Sequence, residues 1–260
     1  MESQGIYHYW TQQIDPRMAN LPFISSSYQV PCIIFAYLYF VLGCGPRFMK
    51  NRPPYSLKTF IQVYNIVQIV ANSWLVYKHI AYGIFSVKLV CPDFDYSENN
   101  TSAKLAKCTY YFFLLKLLDY VETGIFVLRK KNNQVSALHL YHHVSTLLLT
   151  WLGVRYYAVT AMTVVTIINS FIHAIMYMYY FLAACGPDIQ KAVLPMKPWI
   201  TKSQMIQFVI LILYASQQFV IPNCTVVSNW VVLLFVVNVV INFFMFRNFY
   251  KKTYTKLKKT

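Results

Sequence analysis

The sequence predicts an all-α integral membrane protein with seven transmembrane helices. Three observations predict it. Apolar residues fill 57% of 260 positions and charged residues only 12%, too few to cover a water-soluble body of this size. The apolar residues gather in seven runs near the roughly 20 residues that a spanning helix needs. Lys and Arg are unevenly shared between the loops that alternate along those runs.

The spans are placed at 27–43, 59–80, 108–128, 137–153, 158–184, 201–221 and 225–247. Pro31 weakens the first, because it falls within the opening turns. The second carries Gln62, Asn65, Gln68 and Asn72, spaced to share one helical face. Lys116, Asp119 and Glu122 step by three along the third. On the fourth, His139, His142 and His143 stand at i, i+3 and i+4, again one face. The fifth, long enough to be tilted or broken, bears Asn169, His173, Met176, Tyr177 and Tyr180. Thr201, Gln204 and Gln207 open the sixth, and the seventh runs into a basic tail, 248–260. The loops are too short for a soluble domain, so residues 1–260 are read as one multi-pass domain with 1–26 on the non-cytosolic side. The first twenty residues lack the apolar stretch of a cleavable signal peptide.

A net charge of +15 admits nucleic acid as a partner, but its distribution argues for topology instead. With the C-terminus in the cytosol, sixteen Lys and Arg fall on the cytosolic side and six (Arg17, Lys78, Lys88, Lys104, Lys107 and Arg155) on the other. Most acidic loop residues oppose them: Glu2, Asp15, Asp93, Asp95 and Glu98 lie outside, and Asp188 inside. Attraction to anionic lipid follows from this, and a polyanionic cytosolic substrate would also fit. Lys256-Leu257-Lys258-Lys259-Thr260 resembles a dilysine signal for return to the endoplasmic reticulum, although a basic tail held at the lipid surface fits as well. Asn99-Asn100-Thr101-Ser102 holds two overlapping glycosylation sequons in a luminal loop. Of six cysteines, Cys91 and Cys224 both fall in luminal loops, where an oxidising compartment could link them. Cys32, Cys44, Cys108 and Cys185 are expected to stay unpaired.

Ionisable and amide side chains at membrane depth are costly, so they mark sites of chemistry or transport. One polar stripe could be glue between helices; five suggest a lined cavity. Counted from the cytosolic ends of their spans at 1.5 Å per residue, the polar positions lie roughly 3–16 Å below that boundary. The polar centre therefore opens to the cytosol, and the luminal halves are left apolar and aromatic.

Four motifs in order make the chain resemble the very-long-chain fatty acid elongases of the ELO type, which are 3-ketoacyl-CoA synthases. Lys116-Leu117-Leu118-Asp119-Tyr120-Val121-Glu122-Thr123 is similar to K-x-x-E/D-x-x-D-T. Leu138 to His143 matches L-H-x-x-H-H, Asn169 to Tyr180 matches N-x-x-x-H-x-x-M-Y-x-Y-Y, and Thr201 to Gln207 matches T-x-x-Q-x-x-Q. Glu122 departs from the family's usual Asp and lengthens that arm by a methylene. The resemblance implies helices two to seven around a tunnel closed at its luminal end, with the acyl chain inside and CoA at the cytosolic mouth. It also implies a Cys91–Cys224 disulfide and residence in the endoplasmic reticulum.

The implied reaction joins acyl-CoA to malonyl-CoA and yields 3-ketoacyl-CoA, CoA and CO2. No cysteine lies within the histidine motifs, so an imidazole is the candidate nucleophile. His142 is expected to take the acyl group, with Asp119 or a neighbouring His fixing its tautomer. His173 would polarise the malonyl thioester. His139 and His143 would orient groups or move protons, and Asn169, Gln204 and Gln207 would donate hydrogen bonds. Lys116, Glu122, Tyr177 and Lys202 complete the set expected to hold substrate, Lys202 being placed for CoA; Lys116 would also pair with Asp119 or Glu122. Arg129, Lys130 and Lys131 suit CoA phosphates and topology equally. A one-step route, with the histidines acting only as bases, stays open.

The rival is a metal-dependent desaturase or hydroxylase, which also uses H-x-x-H-H. A di-iron site of that kind needs more histidines than the six present, of which His8 and His79 lie outside the cluster. A single-metal site on His139, His142, His143 and His173 remains conceivable, but no metal and no cofactor is expected. A seven-helix transporter or receptor would share the polar stripes but not the ordered motifs. The expected partners are the two CoA thioesters and the bilayer. Reductases and a dehydratase are implied by the chemistry of a full cycle, since no nicotinamide fingerprint is present. A homo-oligomer is compatible with the sequence. Chain length and saturation would depend on the luminal end of the tunnel, near Gln217, Gln218 and Phe219.

Overall fold

The structure, a computed structural model, describes residues 14–82, 88, 90–92, 100–157, 160–224 and 227–255. His8, Glu2, Asp93, Asp95, Glu98, the sequon position Asn99 and the dilysine tail 256–260 lie outside the described residues. Among those described there is no strand, and nine helices follow in order. They are α1 Gln29–Met49, α2 Lys58–Ala81, α3 Asn100–Leu118, α4 Tyr120–Leu128 and α5 Ala137–Tyr156. After them come α6 Thr160–Cys185, α7 Pro187–Val193, α8 Lys197–Val220 and α9 Asn229–Tyr250.

Four helical runs are long and apolar enough to cross a membrane: Gln29–Met49, Ala161–Cys185, Pro187–Val220 and Asn229–Tyr254. The other three predicted spans fall on α2, on α3 with α4, and on α5. Their polar motif residues dilute an otherwise apolar composition. The packing is that of a membrane protein, with polar groups inside and apolar groups out. Along α2, Asn65, Gln68 and Asn72 are buried while Phe60, Val63, Ile66, Val67 and Val70 are exposed.

The helices fall into two compact units. The first holds residues Met1–Ser56 and Phe94–Thr163, which include α1, α3, α4, α5 and the first turn of α6. Its core joins Met18, Ile24 and Val30 to Ala106, Tyr110 and Phe113 of α3 and to Leu147, Trp151 and Val154 of α5. Pro31 proves harmless because it sits in the first turn of α1, where no N–H is needed. Farther along, the Gly45 N–H donates to Phe40 O, five residues back. This wide π-turn over Phe40–Cys44 directly precedes Pro46, which cannot supply the normal i→i−4 bond. The third predicted span is interrupted at Asp119, where the bonding changes: Asp119 N–H reaches Leu115 O, but Glu122 N–H reaches only Asp119 O.

The segment before α1 packs rather than trails. The Arg155 side chain is fully buried and donates to Ile24 O, to Ser27 Oγ at 2.9 Å and to Tyr156 OH at 2.9 Å. Trp151 Nε1 donates to Phe23 O at 2.9 Å, and the Asp15 N–H donates to Arg155 O at 2.8 Å. Arg17 pairs with Asp15 at 2.7 Å and donates to Ser102 Oγ at 3.0 Å. Arg17 and Arg155, counted in the sequence as topology charges, therefore hold this segment to α3 and α5. Arg155→Met should retain the aliphatic packing and strand buried acceptors, destabilising the fold by about 1–3 kcal/mol. Thermal unfolding, with limited proteolysis before Tyr28, would read both the loss and where it opens.

The second unit holds Leu57–Asp93 and Val164–Thr260. Phe208 and Leu211 of α8 pack with Val239 of α9, and the Phe208 and Phe246 rings lie 5.1 Å apart. Gln218 bridges the turn between these helices: its Nε2 donates to Val227 O at 2.6 Å and Asn229 Oδ1 at 2.7 Å, and its Oε1 accepts from Val227 N at 3.2 Å. A disulfide joins Cys91 to Cys224, with Cα atoms 5.4 Å apart, and Gln217 Oε1 accepts the Cys91 N–H at 3.0 Å. Gln217 and Gln218 are thus occupied by loop bonds, and Phe219 is exposed. Cys32, Cys44, Cys108 and Cys185 remain outside any disulfide.

Candidate functional site

In the first unit, α5 begins where Ser136 Oγ accepts the His139 N–H at 3.2 Å, an N-cap that fixes where the histidine turns start. His139, His142 and His143 then share a face, as i, i+3 and i+4 require. The His139 and His143 ring centroids are 4.1 Å apart and those of His142 and His143 are 5.8 Å apart. Thr146 Oγ1 donates to His142 O at 2.6 Å, tying the second turn of the cluster to the third.

Helices α3 and α4 bring the charged motif to this cluster. Lys116 Nζ donates to Asp119 Oδ2 at 3.1 Å, with both side chains buried, and also lies 4.8 Å from the Phe112 ring centre. Of the two carboxylates the sequence left open to Lys116, Asp119 takes it. Glu122 instead faces His143, with Oε2 4.0 Å from Nε2. Thr123, which closes the motif, stands 2.8 Å from His139 Nε2 and 2.9 Å from the Tyr37 hydroxyl of α1. Tyr37 stacks on Tyr120, and Tyr120 approaches His143. Sequence reasoning missed Tyr37, Tyr120 and the hydroxyl role of Thr123. Only Thr123 carried a signal, its place at the end of the motif.

The second unit holds the remaining predicted residues. His173 and Tyr177 of α6 are buried, with ring centroids 5.9 Å apart. Tyr177 OH lies 3.4 Å from Tyr64 OH, which accepts from Gln68 Nε2 at 2.9 Å. Gln68 in turn accepts from Asn72 Nδ2 at 3.1 Å. The polar stripe of α2 is therefore a hydrogen-bonded ladder leading to Tyr177. On α8, Gln204 Nε2 donates to Met176 Sδ at 3.3 Å. Asn169 Oδ1 and Gln207 Oε1 are buried and make no hydrogen bond among the described residues. Lys202 lies over the Trp199 ring at 4.3 Å and near Tyr250 at 5.9 Å. Its ammonium lies against aromatic faces. Among the described residues, no three His, Cys, Asp or Glu side chains are grouped so as to hold a metal ion.

A family model described as ELO, the GNS1/SUR4 family, matches residues 22–260. The chain is 33% identical to very long chain fatty acid elongase 1 of Mus musculus over 256 residues, which covers 98% of the chain and 91% of that protein. It is 34% identical to very long chain fatty acid elongase 4 of Homo sapiens over 258 residues, covering 97% of the chain and 80% of that protein. A third relative, very long chain fatty acid elongase 7 of Drosophila melanogaster, is 34% identical over 93% of the chain and 73% of its own length.

Proposed function

Because the chain belongs to the ELO (GNS1/SUR4) family, we propose that it is the condensing enzyme of fatty acid elongation and works through an acyl-histidine. It joins a long-chain acyl-CoA to malonyl-CoA and releases 3-ketoacyl-CoA, CoA and CO2. The observation that carries this reading is the histidine cluster at the capped start of α5, where three imidazoles meet beside the Glu122 carboxylate. The rival desaturase reading is not favoured, since the family model and the relatives named above are those of elongases.

In this reading a ring nitrogen of His142 attacks the acyl thioester carbonyl. The C–S bond breaks, and the CoA thiolate leaves with a proton passed on by Asp119 or a neighbouring imidazole. Malonyl-CoA then loses CO2, and the electron pair of the broken bond forms an enolate that His173 steadies through its thioester oxygen. The enolate carbon attacks the acyl-imidazole, the C–N bond breaks with its electron pair left on nitrogen, and His142 is restored by a proton taken from solvent through Asp119 or a neighbouring imidazole. Asn169, Gln204 and Gln207 donate hydrogen bonds, and Tyr177 supplies a polar contact. Lys202 meets the phosphates of CoA, and Lys116 pairs with Asp119. No redox cofactor or metal enters these steps.

The same reading gives seven spans, six of them around a tunnel with a cytosolic mouth, in one multi-pass domain. It places the protein in the endoplasmic reticulum membrane with residues 248–260 in the cytosol. Supporting it are the positive-inside distribution and the luminal positions assigned to Cys91 and Cys224. Purified protein given acyl-CoA alone should release about one equivalent of free CoA per active site and then stop, resuming when malonyl-CoA is added. Strict dependence of CoA release on malonyl-CoA would instead establish the one-step route.

A further inference from the structure

Helix α1 is the one span that the tunnel reading leaves outside, yet its Tyr37 bonds to Thr123, which in turn bonds to His139 of the cluster. The geometry points to Tyr37 and Thr123 as a positioning relay for His139, in which two hydroxyls in series hold Nε2 and leave Nδ1 as the nitrogen that meets substrate or a neighbouring imidazole. The inference rests on the histidine cluster being the reaction site.

The behaviour of Thr123 is the first ground. A threonine inside a helix ordinarily returns its hydroxyl proton to the carbonyl four residues back. Thr109, Thr146, Thr150 and Thr201 all do so here. Thr123 does not: its two bonds go to Tyr37 OH at 2.9 Å and to His139 Nε2 at 2.8 Å. It is fully buried and Tyr37 nearly so, so neither hydroxyl exchanges this arrangement for water.

Tyr37 is also held firmly enough to serve. Its ring stacks on Tyr120 with centroids 3.8 Å apart and planes 19° from parallel. About two turns later the π-turn ends at Gly45, where α1 meets α4 so closely that an added Cβ would lie 2.9 Å from Val127 Cγ1 and 2.7 Å from Phe40 O. That contact sets the depth of α1 against α4, and therefore of Tyr37 against Thr123. On the far side, His139 is bounded by Phe126 at 5.4 Å and His143 at 4.1 Å between ring centres. These two tilted ring contacts restrict how the imidazole can turn.

Two hydroxyls in series have a property that one fixed donor lacks. Each can turn its proton either way, so the pair donates to Nε2 when that nitrogen is bare and accepts from it when it is protonated. His139 can then gain or lose a proton at Nδ1 without losing its anchor. A residue acting this way touches no substrate and is a positioning residue.

The test uses the full chain in lipid nanodiscs, with steady-state kinetics for both CoA thioesters. Tyr37→Phe keeps the stacked ring and removes only the hydroxyl. It should lower kcat about threefold to tenfold while each KM stays within twofold. Thr123→Val, close to isosteric, should lower kcat about ten- to a hundredfold, the range for losing a group that orients a working imidazole. Thr123→Ser should restore most of it. Adding Tyr37→Phe to Thr123→Val should change nothing further, because the series is already cut. Full kcat in Tyr37→Phe, or losses that multiply in the double variant, would overturn the relay. His139→Ala, run beside them, separates the two levels. Loss there with an unaffected Tyr37→Phe removes only the relay, whereas a fully active His139→Ala removes the reading of the cluster with it.

Discussion

His142→Ala is expected to reduce 3-ketoacyl-CoA formation at least about a thousandfold, the scale seen when a covalent nucleophile is removed. The loss should be chemical rather than structural. Alanine is the strongest helix former, and the backbone carbonyl at 142, which accepts from Thr146 Oγ1, is retained in the variant. Ser136 still caps the helix in the variant, so His139 and His143 keep their turns. Both half-reactions should fail together: no CoA release from acyl-CoA alone, and no condensation when malonyl-CoA follows. A variant that still releases CoA in the first half-reaction would move the nucleophile to another imidazole. One that condenses at the parent rate would remove histidine covalency from the mechanism.

The second large effect lies in the Lys116–Asp119 pair. Both side chains are buried and the bond is 3.1 Å, so each charge depends on the other for its place. Lys116→Met leaves a carboxylate without its counter-ion and should destabilise the protein by about 3–5 kcal/mol. Asp119→Leu on its own strands the ammonium, with a comparable loss. The double variant removes both charges, and stability should return to the parent value or rise above it by about 1–4 kcal/mol. Activity should not return with it, because Asp119 belongs to the proposed proton path. Tryptophan fluorescence during thermal unfolding in detergent gives the stabilities, and product formation gives the rest. Recovery of both stability and turnover would mean that the pair serves only to satisfy itself.

The all-helical fold was legible because apolar runs of spanning length leave few alternatives. The motif residues were legible because polar groups three or four apart in such runs stand out against their neighbours. Where two elements of the structure differ from that reading, a local cause exists. The break at Asp119 falls inside a run that is apolar on both sides, and hydropathy carries no mark of a changed bonding register. The π-turn was foreshadowed only by Gly45-Pro46, a pair that could equally end a helix. Arg17 and Arg155 looked like topology charges, since a sequence does not reveal that a loop folds back onto helix ends. Tyr37 was invisible for the opposite reason: one tyrosine among the aromatic and aliphatic residues of a first span has no pattern to distinguish it. Pairing was partly legible. Spacing left Lys116 two carboxylates, and the structure gives it Asp119 while turning Glu122 to His143.

The most direct test is mass spectrometry of the enzyme after incubation with a saturated acyl-CoA in the absence of malonyl-CoA. Digestion should yield a peptide covering 137–147 that is heavier by the acyl group, with fragment ions placing it on His142, and a chase with malonyl-CoA should return the peptide to its unmodified mass. An unmodified peptide from enzyme shown to be turning over, or an adduct that malonyl-CoA fails to discharge, would contradict the acyl-histidine route.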